Sequence, residues 1–196
     1  MRRNRSIFQN QSSITARFLI AAILTLTGII SMIPRERETV EEQKSESTAE
    51  EAFLEISFQE NAISVFSSFA PPLQGTVTSS YGYRQDPFSG NVSFHKGIDI
   101  AVPEGTEVKA SEDGTVKQAA YNSIGGNFII VSHKNGTESY YGHLQPRLVS
   151  AGDPVKKGDV IGLSGKTGRV TGPHLHFQLT YKERTVDPLR YLDVSR

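Results

Sequence analysis

Cysteine is absent from the 196 residues of this chain. Its absence excludes disulfides, iron–sulfur clusters and thiolate zinc sites, so any zinc ion must be held by histidine and carboxylate ligands. The fold must therefore depend on a hydrophobic core, which a hydrophobic content of 37% can supply. A chain of this length has room for one ordinary domain with extensions but not for a second full domain.

Net charge is absent as well, since 21 Lys and Arg residues balance 21 Asp and Glu residues. The charges are unevenly distributed, with a basic stretch in residues 1–17 and an acidic stretch in residues 35–60. Basic side chains are neither clustered nor interleaved with aromatic residues, as they are on nucleic-acid surfaces. The composition therefore predicts no nucleic-acid partner.

One uncharged, mostly apolar run, residues 18–33, follows the basic stretch and ends before Pro34. As a helix it would measure about 24 Å, which is short of a hydrocarbon core of about 30 Å but tolerable with snorkelling side chains at its ends. Its end is a poor cleavage site, so residues 18–34 predict an uncleaved signal anchor in the bacterial cytoplasmic membrane. Residues 1–17 would then be cytoplasmic and the rest extracytoplasmic. A cleaved signal with a secreted product is the alternative.

Residues 35–72 are predicted to be an acidic linker between this anchor and a domain formed by residues 73–196. The first part, residues 35–52, has almost no apolar side chains, which predicts a solvated spacer or a marginal helix. The second part, residues 53–69, is richer in apolar side chains. It fits either a helical apolar face or an extended segment that docks on the domain.

Short candidate strands separated by glycine-rich turns dominate the chain from Gly75 onward and predict an all-β domain with almost no helix. Asn135-Gly136 predicts a hairpin turn, because both residue types tolerate a positive φ. His133, beside this turn, is predicted to face solvent. The predicted strands are residues 76–80, 107–110, 115–121, 127–132, 138–141, 160–163 and 174–181.

Four of the five histidines of the chain belong to a set of widely spaced polar residues. His174 and His176 are two positions apart in a predicted strand, so they project from the same face with about 6.6–6.8 Å between them along the backbone. Leu175 and Phe177 then lie on the opposite face, which is predicted to face the core. The complete polar set is His95, Asp99, His143, His174 and His176.

His95 and Asp99 are four residues apart, and a straight strand would separate their side chains by about 13 Å. Both can reach one ion only if the chain bends between them, and Gly97 permits that bend. Two imidazoles and a carboxylate suit an open zinc site, which keeps a position for water and catalyses hydrolysis. Because the candidate ligands are far apart in sequence, such a site forms only with the fold.

Several short motifs follow one another in the second half of the chain. They are Tyr83-Arg84-Gln85-Asp86-Pro87, His95-Lys96-Gly97-Ile98-Asp99, Gly105-Thr106, Tyr141-Gly142-His143-Leu144, Val155-Lys156-Lys157-Gly158, Thr167-Gly168 and Gly172-Pro173-His174-Leu175-His176-Phe177. In these motifs and their spacing the sequence resembles the lysostaphin-like (LytM-type) zinc metalloendopeptidases, which hydrolyse bacterial peptidoglycan. The resemblance covers residues 75–189, approximately the predicted domain.

The resemblance implies an antiparallel β-sheet domain with an open groove whose floor carries Zn²⁺. It implies that His95, Asp99 and His176 are the zinc ligands and that His143 and His174 are the catalytic pair. A zinc-activated water would attack a peptide bond in a peptidoglycan cross-bridge or stem peptide. One of the two catalytic histidines would accept the proton of this water, and the other would stabilise the oxyanion.

Gln178 departs from the family pattern, which usually has glutamate after His-x-His-Phe. Its position two residues after His176 places it on the histidine face of the predicted strand, where it would contact a metal ligand from behind. We expect this change to tune activity rather than to abolish it. The alternative function is a non-catalytic wall-binding module that activates another cell-wall hydrolase, although such members usually lack ligands or catalytic histidines.

Overall fold

The computed structural model describes the backbone of residues 35–194 and the side chains of residues 48–194. The basic residues 1–17 and the signal anchor predicted at residues 18–34 lie outside the described residues. Within the described part of the chain, no helix is both long enough and apolar enough to cross a membrane. The predicted division into anchor, linker and domain stays a prediction.

Helix α1 extends from Arg35 to Phe66, so the predicted linker is helical over most of its length. From Leu54 onward, α1 belongs to the same compact unit as the strands that follow it. In that unit Ala62 and Phe66 are fully buried in the hydrophobic core. Of the two forms that the sequence allowed for residues 53–69, the structure therefore has the helical one.

Twelve strands follow α1 in the described residues. They are β1 (Thr76–Ser79), β2 (Gly82–Gln85), β3 (Val92–His95), β4 (Ile98–Ala101), β5 (Glu107–Lys109), β6 (Gly114–Asn122), β7 (Gly126–Ser132), β8 (Thr137–Arg147), β9 (Pro154–Val155), β10 (Val160–Ser164), β11 (His174–Tyr181) and β12 (Arg184–Val186). All seven predicted strands are present, with small differences at their ends. The largest difference is in β8, which continues past the predicted end at Tyr141 to Arg147.

Ten of these strands form one sheet, with the central order β1-β4-β11-β8-β7-β6-β9. Strand β12 pairs with β11, and β10 pairs with both β5 and β8. Strands β2 and β3 form a separate hairpin. Every pairing is antiparallel, which confirms an antiparallel β domain in the described residues.

The central strands β4, β8 and β11 separate a buried face from a groove face. Along β11, half-buried and fully buried positions alternate strictly, as the period of a strand requires. The groove face of β4 and β11 carries Asp99, His174 and His176. The opposite face packs into the core and carries the buried side chains of Ile98, Ile100, Leu175, Phe177 and Leu179.

The turn between β7 and β8 has the predicted backbone conformation but not the predicted exposure of His133. Asn135 and Gly136 both adopt positive φ values, 60° and 70°. The His133 ring, however, is half-buried, with Nδ1 2.9 Å from the Asp113 carbonyl oxygen and Nε2 2.7 Å from Ser139 Oγ. The prediction that His133 faces solvent is therefore wrong, because both ring nitrogens lie against polar atoms of the protein.

Candidate metal centre and active site

Strand pairing brings three of the predicted site residues to neighbouring positions. Strand β11 lies between β4 and β8, and its His176 pairs with Asp99 on one side and with Gly142 on the other. His174 and His176 lie on the same face, as their spacing predicts. The centre of the sheet therefore carries a carboxylate and two imidazoles on its groove face.

The chain bends between His95 and Asp99, as predicted. Strand β3 ends at His95 in the small hairpin, and β4 begins at Ile98 in the main sheet. A Cβ atom at Gly97 would overlap the backbone carbonyl of Phe177, so only glycine allows this close approach. The bend brings His95 Nε2 to 3.2 Å from Asp99 Oδ1.

His95, Asp99 and His176 form a compact cluster of potential ligand atoms. His95 Nε2 lies 3.0 Å from His176 Nδ1, and His176 Nδ1 lies 2.7 Å from Asp99 Oδ1. The three ligand atoms all lie within 4.8 Å of one another. Such a set of nitrogen and oxygen donors is characteristic of a zinc site.

The outer nitrogens of the two imidazoles provide a test of whether a cation fits this cluster. His95 Nδ1 lies 2.8 Å from the Ser80 carbonyl oxygen, and His176 Nε2 lies 3.1 Å from Gln178 Oε1. These acceptors place one proton on each outer nitrogen. The inner nitrogens and the carboxylate then need either extra protons or a shared cation, so the residues present fit a zinc ion.

The carboxyl group of Asp99 is ionised at neutral pH. Burial acts to raise the pKa of Asp99, but its close contacts with the imidazoles of His176 and His95 hold it well below its usual range. Asp99 therefore provides the cluster with a negative charge, which favours a bound cation.

A bulge in β8 places His143 beside the cluster. The pairing of β7 with β8 shifts register between Asn127 and Ile129, whose partners are Leu144 and Tyr141. His143 itself has φ 64°, in the left-handed region that side chains other than glycine rarely adopt. Simple alternation would put His143 on the core face with Tyr141, and the bulge turns it toward the groove.

His143 and His174 are adjacent, and each directs its Nδ1 atom at a backbone carbonyl. Their ring centroids are 4.6 Å apart. His143 Nδ1 lies 2.9 Å from the Thr167 carbonyl oxygen, and His174 Nδ1 lies 2.8 Å from the Gly172 carbonyl oxygen. These carbonyls hold the Nδ1 protons, so each Nε2 is available to the groove.

Burial favours the neutral form of His143. Burial is the main cause that lowers the pKa of His143 to about 4, and it outweighs the hydrogen bond with Thr167, which acts to raise it. His174 Nε2 lies 3.8 Å from Asp99 Oδ1, at the edge of the ligand cluster. The two histidines thus offer imidazole nitrogens to a molecule bound next to the candidate metal centre.

Three loops surround this site and form a groove of about 800 Å³. They are the tip of the β2–β3 hairpin, the turn between β6 and β7, and the segment that precedes β11. Arg169 joins all three, because its guanidinium donates to Asp86 Oδ2 at 2.9 Å and to Oδ1 at 2.6 Å, and its backbone N–H donates to Ile124. The guanidinium also lies 4.2 Å from the centre of the Phe88 ring.

Three other residues of the groove have no role that the sequence predicts. Arg84 lies with Nη2 3.6 Å from Asp99 Oδ2, and Tyr140 places its ring edge-on to His176, with centroids 5.8 Å apart. Burial raises the pKa of Tyr140 to about 12, so its phenol stays protonated. Arg84 and Asp86 share a recognised motif, but only the fold shows that Asp86 pairs with Arg169.

Comparisons with known proteins agree with this geometry. The sequence profile of peptidase family M23 matches residues 93–188. The peptidoglycan DD-endopeptidase ShyC of Vibrio cholerae is 44% identical over 103 residues, which are 52% of this chain and 24% of ShyC. This chain thus spans about a quarter of the length of that curated relative.

Two solved structures share the fold. A zinc-containing peptidase from Vibrio cholerae has a TM-score of 0.57 and 37% identity, over 61% of this chain and 39% of that one. The catalytic domain of lysostaphin from Staphylococcus simulans has a TM-score of 0.54 and 31% identity, over 66% of this chain and 96% of that domain. The chain therefore belongs to peptidase family M23, the lysostaphin-like (LytM-type) family that its motifs resemble.

Proposed function

We propose that this protein is a zinc-dependent endopeptidase that hydrolyses peptide bonds in the cross-bridges or stem peptides of bacterial peptidoglycan. One observation carries the proposal. The ligand cluster of His95, Asp99 and His176 lies in the same groove as His143 and His174. Membership of family M23 supports peptidase chemistry. The similarity to ShyC, a peptidoglycan DD-endopeptidase, supports a wall peptide as substrate.

His95 Nε2, Asp99 Oδ1 and His176 Nδ1 would hold the zinc ion. Three protein ligands are typical of catalytic zinc sites, which keep a further position for water or substrate, whereas structural sites usually have four. When bound, the ion makes a coordinated water more acidic and polarises a substrate carbonyl. The similarity to a zinc-containing peptidase supports zinc as the metal.

His143 and His174 would handle protons beside the scissile bond. Thr167 and Gly172 fix the Nδ1 protons of these histidines, so the Nε2 atoms are the ones that act. One neutral imidazole accepts a proton from the attacking water and later delivers it to the leaving amine. The other takes up a second proton from solvent at Nε2 and donates a hydrogen bond to the oxyanion that develops on the carbonyl oxygen.

The proposed place of action is the outer side of the cytoplasmic membrane. The uncharged run in residues 18–33, with basic residues before it and acidic residues after it, supports a signal anchor of this orientation. A domain held there would meet peptidoglycan directly. Cleavage of the segment would instead release the protein, with the same substrate available.

The test is hydrolysis of purified peptidoglycan by the full-length, zinc-loaded protein, measured as release of free amines. We expect release by the wild type and by the surface variant Lys117→Ala, whose side chain pairs with Glu138 away from the groove. Chelation of the metal, His143→Ala and His174→Ala should each abolish release. Undiminished release by either histidine variant would contradict the proposal, and metal-independent stimulation of another wall hydrolase would favour the activator alternative.

A further inference from the structure

Arg84 has a guanidinium whose donors are unused. It lies on β2 and lines the groove. An arginine side chain has five N–H donors, yet Arg84 makes no hydrogen bond to any residue that the structure describes. Its Nε atom is buried without a partner. Its Nη donors, on a side chain that is 32% exposed and lines the groove, also lack a hydrogen-bond partner, so an acceptor from outside the chain is their expected partner.

Among the described residues, Asp99 is the only carboxylate within 4.0 Å of this guanidinium. The Nη2 atom of Arg84 lies 3.6 Å from Asp99 Oδ2, which is too long for a hydrogen bond. The other oxygen, Oδ1, belongs to the cluster with His95 and His176. With a divalent cation bound, the single charge of Asp99 would not neutralise both the ion and Arg84, so this end of the groove would attract an anion.

Arg169, in the same groove, has a guanidinium whose donors are paired with a carboxylate. Its guanidinium makes two parallel hydrogen bonds to the carboxylate of Asp86, at 2.9 and 2.6 Å. Such bidentate pairing is the geometry that a guanidinium prefers for a carboxylate. Because Asp86 is engaged by Arg169, it is not available to Arg84.

We propose that Arg84 binds a free carboxylate of the peptide substrate next to the scissile bond, so that the enzyme prefers peptides with this carboxylate over their amidated forms. The proposal rests on the proposed function and names a substrate class for it. Arg84 is thus a substrate-binding residue. The ligand cluster and the two histidines perform the hydrolysis, and Arg84 orients the peptide on them.

The test uses two pairs of synthetic wall peptides. In one pair the tested group is on the residue before the cleaved bond, and in the other pair it is on the residue after that bond. Within each pair the members differ only in whether this group is a carboxylate or a carboxamide. The full-length, zinc-loaded wild type should have a kcat/KM for one acid peptide about tenfold to a hundredfold above that for its amide, as charged hydrogen bonds allow. Arg84→Gln should abolish this preference, and Arg84→Lys, which keeps the charge without the fork, should retain part of it.

A second readout is binding of the acid and amide forms of the product peptide, measured by calorimetry. The acid form should bind more tightly to the wild type and equally to Arg84→Gln. Equal kcat/KM values for acid and amide in both pairs with the wild type, or an unchanged preference in Arg84→Gln, would overturn the proposal. An equal loss with all peptides together with weaker zinc binding would also overturn it, because Arg84 would then only position Asp99.

Failure of the proposed function gives a different pattern. In that case the zinc-loaded wild type would hydrolyse neither intact peptidoglycan nor any of the synthetic peptides. The calorimetric comparison would still decide the role of Arg84, since it measures recognition of a carboxylate without turnover.

Discussion

The Nε2 atom of His176 lies 3.1 Å from Oε1 of Gln178, two positions farther along the groove face of β11. The amide oxygen accepts the outer proton of the imidazole, so the opposite nitrogen, Nδ1, keeps its lone pair for a metal. The family usually has a glutamate at this position. A carboxylate would accept the same proton more strongly than the neutral amide does.

The zinc affinity should therefore depend on residue 178. Gln178→Leu should weaken zinc binding by about tenfold or more, because His176 loses the acceptor that orients its ring. Gln178→Glu should strengthen it, since a carboxylate makes the imidazole a better ligand. Competition titrations against a chromophoric chelator would measure both changes. Thr180→Ala, on the same face but farther along β11, is the matched control, and equal affinities in all four proteins would refute this prediction.

Gly97 should be indispensable for the approach of His95 to Asp99. In Gly97→Ala the new Cβ overlaps the Phe177 carbonyl, so β4 and β11 must separate. We expect a loss of about 1–3 kcal/mol in the free energy of unfolding, typical of overpacked sites, together with weaker zinc binding. Gly172→Ala is the control, because a Cβ there meets open space. Thermal unfolding and zinc titration would measure the two effects, and a Gly97→Ala protein with wild-type values would exclude the proposed constraint.

Local sequence rules predict part of the site well. The spacing of His174 and His176 fixes their common face, because side chains alternate along any strand. The bend at Gly97 also follows from local geometry. The orientation of His143 does not, since the bulge in β8 reverses its face and arises from pairing with β7. Arg84 acquires its place from long-range packing of the hairpin, which residue spacing does not encode.

The secondary-structure elements also differ in how well the sequence predicts them. Long strands with alternating or continuous apolar residues, such as β7 and β11, are predicted closely. The β2–β3 hairpin is not among the predicted strands, although its strands have the same length and alternating exposure as the predicted β1. The sequence leaves helix α1 as one of two alternatives. Its first half has few apolar side chains, and most helical stability in proteins comes from packing of an apolar face.

The end of α1 should be essential for the stability of the β domain. The Phe66 ring is fully buried, and its centroid lies 4.9 Å from both the Phe69 and the Tyr191 ring centroids. Phe66→Ala should lower the free energy of unfolding by about 3–5 kcal/mol, the usual cost of emptying such a site. Ile63→Ala, whose side chain is exposed on the same helix, should change it by about 0.5 kcal/mol or less. Urea unfolding would measure both, and similar losses in the two variants would contradict the packing of Phe66.

His133 should make stability depend on pH. Burial is the main cause that lowers the pKa of His133 below its ordinary value of 6.5. As the pH falls through 6.5, the unfolded chain takes up a proton that the folded protein does not, so unfolding becomes easier. This contribution is fully present above that pH and is lost as the pH falls toward the lowered pKa.

The corresponding measurement compares the wild type with His133→Gln between pH 7.5 and pH 5.5, conditions chosen around the ordinary histidine pKa of about 6.5. The four other histidines are common to both proteins, so the difference in slope reports His133. The wild type should lose more stability on acidification than the variant. Identical slopes would show that His133 titrates alike in the folded and unfolded states.

The most direct test of the account measures bound zinc and peptidoglycan hydrolysis in the same three full-length proteins. The wild type should bind one zinc ion per chain and hydrolyse peptidoglycan, as the single ligand cluster in the described residues implies. His174→Ala should keep its zinc but lose hydrolysis, whereas His176→Ala should lose both. Full zinc occupancy in His176→Ala, or wild-type hydrolysis by His174→Ala, would contradict the division of the groove floor into metal ligands and proton-transferring histidines.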